Sequence, residues 1–189
     1  MEKENTKGSV YGVGRVDGLP TKLKGVLIPS YECWRQMLKR CYSEIYLSKN
    51  PTYRYTVVCP EWCFYANFKI WYDENHINNY ELDKDLRGNG NLYSPDTCCF
   101  LPKALNVSLI TKTKCRKHSY CDKYIAEHSV RGKLKHLGLY ATQGEAYSVY
   151  KREKERYIKE LADEYFLLDK IKYNVYNALM NWTLEKYNE

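Results

Sequence analysis

The sequence has no run of about 18 consecutive apolar residues, so no membrane-spanning helix is expected. Its first ten residues, MEKENTKGSV, are charged and polar and lack the apolar stretch of a secretory signal. We therefore expect a cytoplasmic protein whose thiols stay reduced. No CxxC pair occurs among the eight cysteines (33, 41, 59, 63, 98, 99, 115 and 121). The tightest spacings, Cys59-x-x-x-Cys63 and Cys98-Cys99, do not announce zinc, which is not expected unless Cys41, Cys59 and Cys98 meet in space. The simpler reading is that these cysteines serve as small buried hydrophobes. Glycines 12, 14 and 18 in GVGRVDG lack the spacing and the strand–helix context of a dinucleotide-binding loop. Phe and Trp are scarce, 4 of each, while Tyr numbers 20. Acids are outnumbered, 23 against 30 Lys and Arg, which leaves a net charge of +7. A basic, Tyr-rich chain suits a polyanionic partner, but charge alone does not separate nucleic acid from a membrane surface.

Along the chain, residues 1–29 carry five of the ten glycines and two prolines and read as loops or a short hairpin. From Ser30, a natural N-cap, Tyr31, Trp34, Met37, Leu38, Cys41 and Ile45 recur at helical spacing. Pro51 ends that helix. Tyr55–Cys59 reads as a strand, and Pro60 opens a second helix that puts Trp62, Tyr65, Phe68 and Trp71 in one stripe, most simply core. Leu82–Leu86 alternates as a half-buried strand, and the Gly-Asn-Gly-Asn turn at 88–91 predicts a return along Leu92–Tyr93. A short helix follows Pro102.

The composition then shifts. Residues 111–136 hold eight Lys/Arg against two acids, Asp122 and Glu127, a net +6. Two strand-like runs, Tyr124–Val130 and Lys135–Tyr140, flank a tight Arg131-Gly132 turn, and Thr142-Gln143-Gly144-Glu145 is a capping box opening a helix over about 143–162. A last amphipathic helix is predicted over about 165–186, with Leu168, Ile171, Val175, Leu179 and Trp182 on one face.

The stretch YIAEHSVRGKLKHLGLYATQGEAYSVYK resembles an AP2 DNA-binding domain, through aromatic-x-Ala-Glu, a basic turn and His136-Leu137-Gly138-Leu139-Tyr140-x-Thr142-x-x-Glu145-Ala146. The resemblance implies a three-stranded sheet lying in the DNA major groove and backed by a helix, with Tyr124, His128, Arg131, Lys133 and Lys135 on or beside the DNA-facing surface. Its first strand is short here, since only CRKHSYCDK precedes Tyr124.

Upstream, Trp34-x-x-Met37-x-x-Arg40-Cys41-Tyr42, Val58-Cys59-x-x-Trp62, Leu82-Asp83-Lys84-Asp85 and Tyr93-Ser94-Pro95-Asp96-Thr97-Cys98 are similar to phage-borne HNH homing-endonuclease-like proteins, which often end in an AP2 domain. That resemblance implies an α+β fold with a ββα-metal unit and flanking helices, then a small AP2-like antiparallel sheet with its helix and a C-terminal helix. The implied limits are 1–110, 111–162 and 163–189. It also implies a divalent metal, Mg2+ or Mn2+, on Asp83 and Asn106, which stand 23 positions apart. Lys84 occupies the place of the general-base histidine. A protonated ammonium does not accept a proton from water, so catalysis by Asp83, Lys84 and Asn106 is compromised on the usual route. Three readings stay open: a double-stranded-DNA-binding protein without cleavage, an active metal-dependent endonuclease or nickase, and a phage anti-defence inhibitor of a host defence protein.

Overall fold

Pro29, not Ser30, begins the first helix. Its fixed φ and missing N–H suit the first helical position, where the amide has no intrahelical partner. A computed structural model describes residues 9–88, 90–110 and 115–184. Among these the protein is mixed α+β, with six α-helices and four small sheets. No described helix is long and apolar enough to cross a membrane. The chain folds as two units, Met1–Phe100 and Leu101–Glu189.

The first unit contains β1 (Lys22–Leu23), β2 (Val26–Leu27), α1 (Pro29–Tyr42), α2 (Glu44–Lys49), β3 (Val57–Val58), α3 (Tyr65–Asn75), β4 (Tyr80–Asp83) and β5 (Leu92–Tyr93). Ser30 sits inside α1, and its hydroxyl and the Tyr65 hydroxyl hydrogen-bond each other at 2.7 Å. The expected single helix running to Pro51 is instead two, because Ser43 turns extended and caps α2 through the Tyr46 N–H. Pro60–Cys63 forms a 3-10 turn before α3. The stripe expected to be core is core: Trp62, Tyr65 and Phe68 are buried, with Trp71 packed against them. Trp34 Nε1 donates to the Trp62 carbonyl at 2.7 Å, tying α1 to that turn.

The glycine-bearing N-terminal loop is tied to the same region. Arg15 N–H donates to the Cys63 carbonyl at 2.8 Å, and Tyr65 N–H donates to the Arg15 carbonyl at 2.9 Å. Gly14 lies directly on Trp34 and Leu38: a Cβ there would stand 2.7 Å from Trp34 Cη2 and closer still to Leu38 Cδ1. Both side chains are fully buried and do not yield cheaply. Gly14→Ala is therefore expected to cost about 2 kcal/mol by overpacking, read as a lower denaturant midpoint with unchanged slope.

The expected return of Leu92–Tyr93 along Leu82–Leu86 does not occur. Leu92–Tyr93 pairs in parallel with Val57–Val58, while β4 pairs with β6 (Cys99–Pro102), which straddles the boundary between the units. All eight cysteines are free thiols. Cys41 and Cys98 are buried, and burial pushes both thiols up to about 12. They therefore behave as the small hydrophobes expected of them.

The second unit contains α4 (Lys103–Leu109), β7 (Cys115–Lys117), β8 (Tyr124–Val130), β9 (Lys133–Tyr140), α5 (Gln143–Leu167) and α6 (Tyr173–Met180). β7, β8 and β9 form one antiparallel sheet. Arg131 and Gly132 both adopt positive φ, 49° and 78°, the two-residue hairpin turn that follows the twist of the strands. Thr142 and Glu145 make the expected capping box: Glu145 N–H donates to Thr142 Oγ1, and Thr142 N–H to Glu145 Oε2, each at 3.2 Å. α5 runs on to Leu167 and stops at Asp169, whose φ is 52°. The predicted helix 165–186 is thus the end of α5 plus the separate α6. Ile171, Val175, Leu179 and Trp182 are buried as that stripe required, whereas Leu168 at the break is 55% exposed.

Candidate functional site

Residues paired across an antiparallel sheet share a face, and faces alternate along each strand. His128 pairs with Lys135, Val130 with Lys133 and Tyr124 with Tyr140. His128 is buried, with its ring 5.2 Å from that of Tyr157 and 6.1 Å from that of Tyr150, both on α5. The set Tyr124, His128, Lys133 and Lys135 therefore belongs to the helix side of the sheet. The resemblance placed these residues toward DNA. His128 is instead a core histidine, because that pleat is the one α5 covers. Lys133 and Lys135 remain exposed at the open end of the hairpin, and Tyr124 is half-buried. Arg131 is exposed in the turn; its N–H donates to the Tyr157 hydroxyl at 3.0 Å and its guanidinium pairs with Glu164.

The opposite face carries Arg116, Glu127, Ser129, Leu134 and His136, from the pairings Glu127–His136 and Ser129–Leu134. Arg116 lies 3.5 Å from Glu127. A bulge between Ala126 and Glu127 sets this parity, leaving Leu137 as the extra residue of β9. The sequence does not mark Arg116 and His136 as residues of this face, because the alternating pattern has the same period whichever face is inward. The bulge had no residue signal to locate it. Exposed cations at the rim are Lys117, ion-paired with Asp122 at 2.7 Å, Lys123, Lys133 and Lys135. Lys112 and Lys114, part of the basic cluster, lie outside the described residues.

Asp83 ends β4 and is buried. Its Oδ1 accepts the Leu86 N–H at 2.8 Å and the Asp85 N–H at 3.1 Å, fixing the turn that follows the strand. Burial pushes its carboxyl up to about 6, against the opposing pull of those two N–H groups. Lys84 is also buried, with Nζ 2.5 Å from Asp85 Oδ1 and 5.0 and 5.8 Å from the ring centres of Tyr53 and Tyr93. Its ammonium thus occupies a carboxylate and two π faces rather than a water-activating position. Asn106 is half-buried on α4 and belongs to the second unit, whereas Asp83 belongs to the first. His76, near Asp83 in sequence, stacks on Tyr72 at 4.3 Å and meets the Phe100 ring edge-on at 5.2 Å.

These contacts make Asp83 a turn-holding residue, which variants test directly. Asp83→Ala leaves the buried Leu86 amide without its acceptor and is expected to cost about 2 kcal/mol. Asp83→Asn keeps an acceptor oxygen and removes the penalty of burying a charge. With a folded-state pKa near 6, above its ordinary value of 3.8, the carboxylate's contribution to stability declines as pH rises from about 4 through about 6. Asp83→Asn should flatten that decline in urea titrations run in EDTA; a larger loss in Asn than in Ala would contradict the role.

Compared with protein-family models, curated proteins and solved structures, the chain matches none. The functional reading consequently rests on the residues and their geometry.

Proposed function

We propose that this chain binds double-stranded DNA in the manner of the HNH/AP2 homing-endonuclease type, through the sheet β7–β9, and that its cleavage centre is disarmed at Lys84. The observation that carries the reading is the three-stranded antiparallel sheet backed by α5, with exposed cations around its rim. A short antiparallel ribbon fits the major groove, where Arg116 and His136 offer donors to base edges while Lys117, Lys123, Lys133 and Lys135 meet phosphates. Arg131 at the hairpin turn adds a further phosphate contact.

The residues near Asp83 do not suit the implied Mg2+ or Mn2+. One carboxylate oxygen is engaged by two backbone amides, and the neighbouring Asp85 carboxylate already holds an ammonium. No cleavage step is assigned to them.

Two measurements test the reading. Duplex affinity, followed by fluorescence anisotropy, should fall steeply with added salt as counterions are released; equal affinity at low and high salt would sink DNA binding. Supercoiled plasmid incubated with Mg2+ or Mn2+ should stay intact. Nicking that disappears in Asp83→Asn would restore the nuclease and overturn the disarmed centre.

A further inference from the structure

The break at Asp169 leaves apolar side chains outside the core of the second unit. Leu167 is 84% exposed, Tyr173 68% and Phe166 39%. They form one patch rather than scattered positions. Phe166 stacks on Tyr176 with ring centres 4.5 Å apart, and Tyr173 stands 6.2 Å from Phe166 and 6.3 Å from Tyr176. The Tyr176 hydroxyl donates to Asp163 Oδ1 at 3.0 Å, and Leu167 follows Asp163 by one helical turn, so it continues the same surface. The backbone beneath is fixed as well. Asp169 N–H donates to the Phe166 carbonyl at 3.0 Å and Lys170 N–H to the Tyr165 carbonyl at 2.8 Å. Three rings and a leucine held in this way present a few hundred Å² of apolar surface, and a contiguous patch of that size marks a contact site.

Charge selects the occupant. Residues 159–181, which carry the patch, hold three lysines and four acids, a net −1 in a chain of +7. Such a balance offers no attraction to a nucleic acid or an anionic membrane. It does suit a second copy of the chain. Asp163, Asp169, Lys170 and Lys172 are all exposed around the rings, so a twofold axis sets each sign on one copy against the opposite sign on the other. Aromatic rings with a leucine at the centre and mixed charge at the rim is also the composition of an interface core and its border.

We infer that this face is a dimer interface. Phe166, Leu167, Tyr173 and Tyr176 of one copy pack against the same residues of a second, with Lys170 and Lys172 opposite Asp163 and Asp169. Two such patches with their rims bury about 1,000 Å², the lower edge of specific interfaces, so the dimer is weak and reversible, with Kd in the tens of micromolar. The inference does not rest on DNA binding, since no residue of the sheet takes part.

Sedimentation velocity of the full chain tests it, without nucleic acid and in a phosphine reductant that keeps the exposed Cys121 from cross-linking copies. The average mass should rise from one chain toward two between about 1 and 300 μM. Leu167→Glu and Tyr173→Glu should each weaken association by about tenfold. Both side chains are exposed, so the variants should keep the melting temperature of the parent chain. Lys170→Glu with Lys172→Glu, which makes the rim acidic on both copies, should weaken it by a similar factor, and added salt should shrink that loss by screening. A chain that stays monomeric across this range would overturn the inference, as would a dimer that survives both Leu167→Glu and Tyr173→Glu. Growth past two copies would contradict a closed twofold contact. Flotation with phosphatidylglycerol vesicles that is lost in Leu167→Glu would assign the patch to a lipid surface and overturn the dimer.

Discussion

Replacing Trp34 by alanine is expected to unfold the Met1–Phe100 unit. Trp34 is fully buried, packs at ring distances of 5.5 Å from Tyr65 and 5.8 Å from Tyr31, and donates to the Trp62 carbonyl. Removing the indole leaves a cavity where α1, the 3-10 turn and the N-terminal loop meet, a loss of about 3–5 kcal/mol. It also strips the Trp62 carbonyl of a donor, adding about 1–3 kcal/mol. Together these approach the whole stability of a small unit, about 5–15 kcal/mol. Trp34→Phe restores most of the volume and forfeits mainly the hydrogen bond, so it should stay folded with a loss nearer 2 kcal/mol. Near-ultraviolet circular dichroism with urea titration reads both. An alanine variant that keeps a native aromatic signal and loses less than the phenylalanine variant would refute the assignment of this residue as the centre of the core.

The second large effect concerns the hairpin. Reversing charge in Lys133→Glu with Lys135→Glu should lower duplex affinity on the order of a hundredfold at low salt, and make the dependence of log affinity on log salt shallower by about 1.8, roughly 0.9 for each lost phosphate contact. Both side chains are exposed, so the fold should be unaffected. His136→Ala, on the other face of the sheet, should change preference among base sequences while leaving the salt slope nearly intact, as expected of a base-edge contact. An unchanged slope in the double variant would remove the hairpin from the interface. Equal effects of His136→Ala on every sequence would remove base readout from that face.

The parts of both units that local chemistry specifies are legible in the sequence. Arg131-Gly132 is a turn because two consecutive positive φ values suit a glycine and a short hairpin. Thr142 and Glu145 open α5 because each side chain satisfies the other's backbone amide. The Trp62–Tyr65–Phe68 stripe is core because large aromatics at helical spacing have nowhere else to bury their area. The Asp83 turn was legible only as an Asp next to a Lys. The two amides on its carboxylate and the Lys84–Asp85 pair are contacts within three positions, whereas the burial of Asp83 and the placing of Lys84 beside the Tyr53 and Tyr93 rings arise from long-range packing.

The sequence alone determined the hairpin, the capped helix, the buried aromatic stripe and the concentration of positive charge before Leu137, since each follows from residues a few positions apart. Tertiary structure decided which pleat of the sheet meets α5, that β4 pairs with β6 instead of β5, and that the last helix breaks at Asp169. It also decided that Phe166 and Leu167, beside that break, stay outside the core. A strand's alternation is symmetric in its two faces and a turn does not name its partner strand. Those choices are made only when elements distant in the chain compete to bury the same apolar surface.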